Sequence, residues 1–347
     1  MASAASTAAG SLKGAILGLG NPLLDISAET TMDTVTKYGL KMGDAALAED
    51  KHLPLYSELV EKHDVKYIAG GATQNSIRVA QWKVGEAGAT AFVGCVGKDD
   101  FGAKLREAAT ADGVQVLYRE DEEKPTGTCA VLVVDKERSL CANLAAANEY
   151  KVEHFNSEPV QAALAAARIV YSAGFHLTVS PEAMELAGKH CVAEGKTFAM
   201  NLSAPFLCSF FKDQMHRVLP YATLVFGNET EAEAYAEANG LASKAVADVA
   251  KHIAALPLAS GASARVVCIT QGVDPVVVAH DGTVEEFAVP TVPAEEIVDL
   301  NGAGDAFVGG YLAALAQGKS IPECVTCGND AASHIIRVSG CVVPTSE

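Results

Sequence analysis

Long apolar runs and positive charge are both scarce in this chain. No stretch of about 18 apolar residues, the length needed to cross a membrane, occurs in its 347 residues. Lysine and arginine together number 26 against 43 aspartates and glutamates, which gives a formal net charge of −17. Such a surface repels phosphate, so we expect the protein to bind neither nucleic acid nor a membrane.

The cysteines form no metal-binding or disulfide pattern. Nine are scattered along the chain. The one C-x-x-C, Cys324 and Cys327, falls in a predicted helix and has no second pair of ligands. No secretory signal peptide precedes them. These features predict reduced thiols in a cytoplasmic protein.

Two common nucleotide-binding signatures are incomplete. Residues 195–197 and 318–320 end like a P-loop, but both lack the glycine that this motif requires upstream. Gly18-x-Gly20 begins like a dinucleotide fingerprint, but the third glycine and the helix that should follow are missing. The sequence therefore argues against a P-loop enzyme and against a dinucleotide-dependent oxidoreductase.

The composition and the order of predicted elements indicate the fold class. With 49% apolar residues, the chain can bury one large core. Buried strands that alternate with helices are predicted at 168–173, 197–200, 223–226 and 265–269. This alternation predicts an α/β fold, a doubly wound and mainly parallel sheet with helices on both faces. Residues 1–13 are predicted to be a flexible tail, and 14–347 the folded domain.

One segment interrupts the alternation. Residues 126–134 and 139–143 predict two antiparallel strands joined by a charged turn, because no helix separates them. A hairpin of this kind suggests a small flap. Arg138, near its tip, is either a solvated turn residue or a cation that moves over phosphate when the flap closes.

A glycine turn before a helix is the main candidate for catalysis. The chain reads Asn-Gly-Ala-Gly-Asp over residues 301–305, and a helix is predicted from Ala306 to Gln317. The amides of Gly302 to Gly304 would lie at the helix N-terminus, which binds anions. Asp305 would repel a bound phosphate, but it suits a base that takes a proton from an attacking hydroxyl. The alternative is that Asp305 only stabilises the start of the helix.

Polar residues follow other predicted strands, where open α/β sheets bind their ligands. Asn21 and Asp25 are suited to binding the hydroxyls of a vicinal diol, or they merely form a turn. Residues 70–75 form a second glycine turn before a helix. Asn228 and Glu231 could hold hydrated Mg²⁺, or they could simply cap a helix.

The longest motifs resemble one known family. Residues 70–75 and 299–305 resemble the two signatures of the ribokinase-like (PfkB) sugar and nucleoside kinases. A closer resemblance to its nucleoside kinases is carried by residues 20–27, 47–52, 74–82, 201–206 and 227–232. The resemblance extends from about Gly14 to the C-terminus.

This resemblance implies an activity and a domain organisation. The family fold is a doubly wound α/β domain with a small β lid, here expected from about residues 23–48 and 118–146. The implied reaction is transfer of the γ-phosphate of ATP to the 5′-hydroxyl of adenosine, with Mg²⁺ as cofactor. Potassium would bind near Asp299, and similarity suggests a monomer.

The resemblance also implies residue roles. Asp305 would be the base, Arg138 would contact the transferring phosphate, and Gly302, Ala303 and Gly304 would form the anion site. The residues implied to bind the nucleoside are Asn21, Leu23, Asp25, Leu47, Gly70, Gly71, Asn75, Leu140, Ala142, Phe175, Phe206 and Asn301. Asn228, Thr270 and Gly272 would contact ATP, and Glu231 with Asn228 would hold Mg²⁺ through water.

Two positions depart from the family pattern, and two other functions compete. Leu300 stands where the family usually has threonine, and Ala45 replaces a glutamine, so we expect altered fine specificity. One alternative is a kinase for another nucleoside or a sugar. The other is a catalytically silent nucleoside-binding protein, against which the intact Asp305 argues.

Overall fold

The computed structural model describes residues 11–261 and 265–344. Its strands are β1 (Ile16–Leu19), β2 (Leu23–Glu29), β3 (Ala45–Leu47), β4 (Lys66–Gly70), β5 (Thr90–Gly97), β6 (Gln115–Asp121), β7 (Thr128–Val134), β8 (Glu137–Asn143), β9 (Ile169–Ala173), β10 (Thr197–Asn201), β11 (Leu224–Asn228), β12 (Val266–Gln271), β13 (Asp274–His280) and β14 (Thr283–Phe287). The predicted hairpin is present as β7 and β8, which pair antiparallel.

The helices alternate with the strands over most of the described chain. They are α1 (Met32–Lys37), α2 (Leu53–Lys62), α3 (Ala72–Val84), α4 (Asp100–Ala111), α5 (Val152–Phe155), α6 (Glu158–Ala166), α7 (Pro181–Ala193), α8 (Pro205–Phe210), α9 (Lys212–Val218), α10 (Glu229–Asn239), α11 (Val246–Ala255), α12 (Ala303–Ala316) and α13 (Ile321–Ile335). A short 3-10 helix, Gly174–Thr178, follows β9.

The large sheet has nine strands in the order β14-β13-β12-β11-β10-β9-β1-β5-β6. The strands from β12 to β6 in this order pair parallel, and β13 and β14 add an antiparallel edge. From β1 the chain builds the sheet towards β6, and it then returns to the other side of β1 at β9. The strand order therefore reverses between β1 and β9, the position at which open α/β sheets bind ligands.

Both faces of the large sheet are buried, so its strands have no polar face. Along β1, Leu17 and Leu19 belong to one apolar core and Ile16 to the other. Helices α6 to α11 cover the first core, and α3, α4, α12 and α13 cover the second. This arrangement explains the continuous apolar strands in the sequence. The predicted doubly wound α/β fold is confirmed.

A small sheet of five strands, in the order β3-β8-β7-β2-β4, stands beside the large one. Leu55 and Leu59 of α2 pack against Ala130 and Leu132 on one of its faces. Four of its strands lie within the two segments that were expected to form the lid, 23–48 and 118–146. The fifth, β4, lies outside them, and β6 belongs to the large sheet although the second segment includes half of it.

The start of the described chain is attached to the domain. Residues 1–10 of the predicted tail lie outside the described residues. The backbone amide of Leu12 donates to Glu86 at 2.8 Å, and the Ser11 hydroxyl donates to the same carboxylate at 2.5 Å. Residues 11–13 therefore belong to the domain, and the tail prediction is wrong for them.

Within the described ranges, none of the helices combines the length and the apolar character that a membrane crossing requires.

Helices α3 and α12 pack closely through a glycine, which gives a test of the packing. A Cβ atom on Gly309 would lie 2.5 Å from the carbonyl oxygen of Ser76 and 2.7 Å from Cβ of Val79. We expect Gly309→Ala to lower the free energy of unfolding by about 1–3 kcal/mol, because the added methyl overpacks the contact. Denaturant unfolding measures the effect. Gln317→Ala, at the exposed end of α12, is the control and should change stability by less than about 0.5 kcal/mol. Equal stability of both variants would contradict the close packing.

Candidate active site

Two adjoining cavities lie at the carboxyl ends of the parallel strands. The larger one, about 410 Å³, is bounded by the start of α12, the start of β8 and the ends of β10 and β11. The narrower one, about 90 Å³, lies between the small sheet and the ends of β1 and β9. Ala72, Phe175 and Asn301 line both cavities, so the two cavities are neighbours.

The glycine turn at the start of α12 lines the larger cavity. Gly302 is the N-cap residue and has φ +80°, a backbone conformation that disfavours any residue with a side chain. The first-turn amides of a helix have no acceptor within the helix, and the helix dipole adds positive potential there. Gly302 and Gly304 both line the cavity. The turn is therefore built to receive an anion.

Asp305 lies in the first turn of α12 and lines the larger cavity. The side-chain amide of Asn75, in α3, donates to Oδ2 of Asp305 at 3.0 Å. Burial raises the pKa of Asp305 from 3.8 to about 7, although the Asn75 hydrogen bond acts in the opposite direction. A carboxyl group with a pKa near 7 can accept a proton far more readily than an ordinary aspartate.

The narrower cavity contains a second carboxyl group with a raised pKa. The pKa of Asp25 is raised to about 7, chiefly by burial. The charge of Arg138 acts to lower this pKa, and the charges of Asp305 and Asp299 act to raise it. A Cβ atom on Gly70 would lie 2.4 Å from Oδ1 of Asp25, so only glycine leaves room for this carboxyl group. Gly70 thus backs Asp25 and does not itself line the cavity.

Asn75 has one polar atom without a partner. Its Oδ1 atom is buried and has no hydrogen-bond donor among the described residues, while its amide nitrogen donates to Asp305. Asn75 lines the narrower cavity, next to Gly71 and Asp25. A ligand hydroxyl would satisfy this oxygen, because a buried acceptor without a donor is unfavourable.

Arg138 is neither solvated nor free to move over an anion in this arrangement. It lies at the start of β8, and both it and Asp299 are buried. Nε and Nη2 of Arg138 donate to the two carboxylate oxygens of Asp299, and Nη1 donates to the Ser27 hydroxyl at 2.9 Å. The suggestion of a solvated turn residue is wrong, because the turn itself is formed by Asp135 and Lys136.

The hydrogen bonds of Asp299 also bear on the expectation that potassium binds near this residue. Besides the Arg138 guanidinium, Asp299 accepts from the amide of Asn301 at 2.9 Å and from the amide of Gly340 at 2.6 Å. Each of its oxygens therefore has two nitrogen donors. Asp299 does not offer an oxygen to a cation, so this part of the site does not fit potassium.

Asn228 and Glu231 cap α10 and also line the larger cavity. Oδ1 of Asn228 accepts from the amide of Glu231 at 2.9 Å, and Oε2 of Glu231 accepts from the amide of Asn228 at 3.0 Å. Burial raises the pKa of Glu231 to about 7. Among the residues that the structure describes, no three histidine, cysteine or acidic side chains come close enough to hold a metal together. The oxygens fit a hydrated Mg²⁺ and not a fully protein-bound ion.

The structure brings most of the predicted site residues together. Those that line the larger cavity are Arg138, Asn228, Glu231, Asn301, Gly302, Gly304 and Asp305. Those that line the narrower one are Asn21, Leu23, Asp25, Leu47, Gly71, Asn75, Leu140, Ala142, Phe175, Phe206 and Asn301. Ala303, Thr270 and Gly272 line neither. The Thr270 hydroxyl donates to the Gly227 carbonyl at 3.4 Å, and Gly272 is in an exposed turn.

Asn201 and Ser203 line the larger cavity and were missed as site residues. Oδ1 of Asn201 accepts from the amide of Ser203 at 2.9 Å, which folds this segment back at the end of β10. The available signal was the one used for Asn228, a polar residue directly after a buried parallel strand.

Comparison with known proteins yields one family. Residues 32–347 match the pfkB family carbohydrate kinases. Adenosine kinase 2 of Arabidopsis thaliana is 53% identical over 331 residues, which cover 95% of this chain and 96% of that protein.

Two solved structures give the same result. A crystal structure of Anopheles gambiae adenosine kinase in complex with P1,P4-di(adenosine-5) tetraphosphate superposes with a TM-score of 0.93 at 48% identity, covering 95% of this chain and 97% of that one. Adenosine kinase from Schistosoma mansoni in complex with 2-fluoroadenosine has a TM-score of 0.93 at 37% identity, covering 96% and 98%.

The Arg138–Asp299 pair gives a test of how the site is held together. We expect Asp299→Asn to lower the free energy of unfolding by about 3–5 kcal/mol, because it leaves a buried guanidinium without its counter-charge. Urea unfolding measures the effect. Glu296→Gln breaks the exposed pair with Arg337 and should cost less than about 1 kcal/mol. A loss as small in Asp299→Asn as in this control would show that the buried pair is not formed.

Proposed function

Because the chain belongs to the pfkB family of carbohydrate kinases, we propose that it is the member that transfers the γ-phosphate of ATP to the 5′-hydroxyl of adenosine. The products are AMP and ADP. The observation that carries this function is the position of Asp305, a carboxyl group with a raised pKa that lines the larger cavity beside an anion-binding turn. It is also hydrogen-bonded to Asn75, which lines the narrower cavity. Adenosine kinases from several organisms align with at least 95% of this chain at 42–53% identity.

The narrower cavity suits the nucleoside. Asp25 accepts hydrogen bonds from the ribose hydroxyls, and Oδ1 of Asn75, which has no donor of its own, accepts another. Apolar side chains from both sheets complete the wall, among them Leu140 and Phe206. An aromatic base fits such a lining better than a bare sugar, because a sugar would leave the apolar side chains without an apolar surface to contact.

The chemistry takes place where the cavities meet. Asp305 takes the proton of the 5′-hydroxyl as that oxygen bonds to the γ-phosphorus, and the bond from phosphorus to the bridging oxygen of ADP breaks. The amides of the 302–304 turn stabilise the negative charge on the transferring group. Asn75 holds Asp305 by its hydrogen bond, so the second carboxylate oxygen remains available for the proton.

ATP occupies the larger cavity. Asn228 lies on its wall. Thr270 and Gly272, at the end of β12, are the other residues that we propose to contact ATP. Glu231 and Asn228 would hold Mg²⁺ through water, and the bound ion would supply positive charge to the triphosphate. The small sheet acts as the lid, and Arg138 contacts the γ-phosphate if it exchanges Asp299 for that anion on closure.

The compartment and the oligomeric state follow as further parts of the proposal. All nine cysteines are unpaired, as expected for a reducing cytoplasm. The active form is proposed to be a monomer, because the residues of a single chain suffice to line both cavities.

The role of Asp305 is tested by an isosteric substitution. We expect Asp305→Asn to lower turnover by at least about 10²-fold with nearly unchanged adenosine binding, because only the proton acceptor is lost. The assay follows AMP formation from ATP, Mg²⁺ and a panel of nucleosides and sugars. Asp100→Asn removes another first-turn acid, in α4, and should keep normal turnover. Near-normal turnover in Asp305→Asn would exclude this residue as the base. A product other than AMP from the wild-type enzyme would show that adenosine is not the acceptor.

The raised pKa values predict the pH dependence. Asp305 must be ionised to accept a proton, and its pKa lies near 7 and not at the ordinary 3.8. We therefore expect kcat/KM to fall as the pH drops below about 7. Asp25 also titrates near 7, so the fall should involve two protons in the wild type and one in Asp25→Asn. A profile that is flat down to pH 5 would contradict a base with this pKa.

A further inference from the structure

A histidine outside both cavities is hydrogen-bonded to a residue that lines one of them. His176 lies in the 3-10 helix after β9, is fully buried and does not line either cavity. Its Nδ1 atom lies 2.7 Å from Oδ1 of Asn21, which follows β1 and lines the narrower cavity. The contact spans the place where the strand order of the large sheet reverses.

The hydrogen-bond pattern determines which atom carries the proton. The amide nitrogen of Asn21 donates to the Phe175 carbonyl at 3.2 Å, and a carbonyl can only accept. Oδ1 of Asn21 must therefore face His176, and Nδ1 of His176 must be the donor. Burial lowers the pKa of His176 to about 3, so the ring is neutral and holds this single proton on Nδ1.

The second ring nitrogen of His176 makes no hydrogen bond to the described residues. Nε2 of His176 is buried without a partner among the described residues, and so is the hydroxyl of Tyr150, whose ring centre lies 5.3 Å away. A buried acceptor without a donor is unfavourable for stability. An apolar ring would fill the same space without this penalty, so packing alone does not account for a histidine here.

The hydrogen bond to Asn21 does account for a histidine at this position. We propose that His176 is a positioning residue for nucleoside binding, which fixes the side chain of Asn21 and, through it, the backbone of Phe175. The inference rests on the proposed function. Phe175 lines both cavities, and its carbonyl accepts from Asn21 and from the Thr178 hydroxyl at 2.9 Å. The Asn21 backbone carbonyl also lies against Gly71, where a Cβ atom would be 2.3 Å away. His176 thereby sets the wall of the nucleoside cavity without touching the nucleoside.

Three substitutions separate this role from packing. The amide nitrogen of an asparagine can occupy the place of Nδ1, whereas that of a glutamine occupies the place of Nε2. We expect His176→Phe and His176→Gln to raise the KM for adenosine about tenfold, the effect of one lost hydrogen bond at a binding site. His176→Asn should stay within about threefold of the wild type. For all three, kcat and the KM for ATP should change by less than about twofold.

Stability and a second background provide the controls. His176→Phe should melt close to the wild type, because it removes one unpartnered buried acceptor, Nε2 of His176, and creates another, Oδ1 of Asn21. In an Asn21→Ala background, His176→Phe should cause no further rise in the KM for adenosine, because the histidine acts through Asn21. An unchanged KM in His176→Phe, or an equal rise in His176→Asn, would overturn the proposal. So would an additive effect in the Asn21→Ala background.

A measurement that does not depend on activity separates this inference from the proposed function. The ¹⁵N shifts of the His176 ring in the wild type should show a proton on Nδ1 at pH 7, and they should show no change in protonation down to pH 5. A proton on Nε2 would overturn the positioning role even if adenosine is the substrate. If the shifts are as expected but adenosine is not phosphorylated, the proposed function fails and the hydrogen bond stands.

Discussion

A single buried carboxylate holds separate parts of the active site together. Asp299 accepts from the guanidinium of Arg138 on the small sheet, from the amide of Asn301 in the glycine turn, and from the amide of Gly340 near the end of the described chain. Removing a carboxylate from water is costly unless its oxygens find donors, and here all of them do. The small sheet, the glycine turn and the segment at Gly340 are therefore linked as long as the Arg138–Asp299 pair is formed, and the lid motion proposed for the small sheet requires this pair to break.

The cavities concentrate carboxyl groups in a protein that already carries excess negative charge. Burial raises the pKa of Asp25, Glu231 and Asp305 to about 7, from ordinary values of 3.8 and 4.5. These groups are therefore only partly ionised at neutral pH in the free protein. A cation near Glu231 favours the charged form of the carboxylates around it. The negative charge of a bound triphosphate acts in the opposite direction, so the ionisation of the proposed base would depend on both groups together.

The sequence predicted the fold class and the catalytic turn because both depend on local signals. A glycine turn directly before a helix is visible in residues 299–310 without any tertiary information. Pairing between distant segments is not visible in this way. Arg138 and Asp299 are 161 positions apart, so nothing near Arg138 indicated that it would be buried. The place of β4 in the small sheet beside β2 was not predicted either, since an edge strand carries little sign of its partner.

The geometry of the proposed base depends in the end on backbone packing. Asp305 and Asn75 lie on two different helices, and the 3.0 Å hydrogen bond between them requires those helices to approach closely. Gly309 permits this approach, because it places the backbone of α12 directly against Ser76, the neighbour of Asn75. A larger residue at 309 would separate the helices and lengthen the bond. The pKa of Asp305 would then rise further, since the hydrogen bond is what lowers it. A glycine one turn away from the base therefore helps to set the pH at which the base can work.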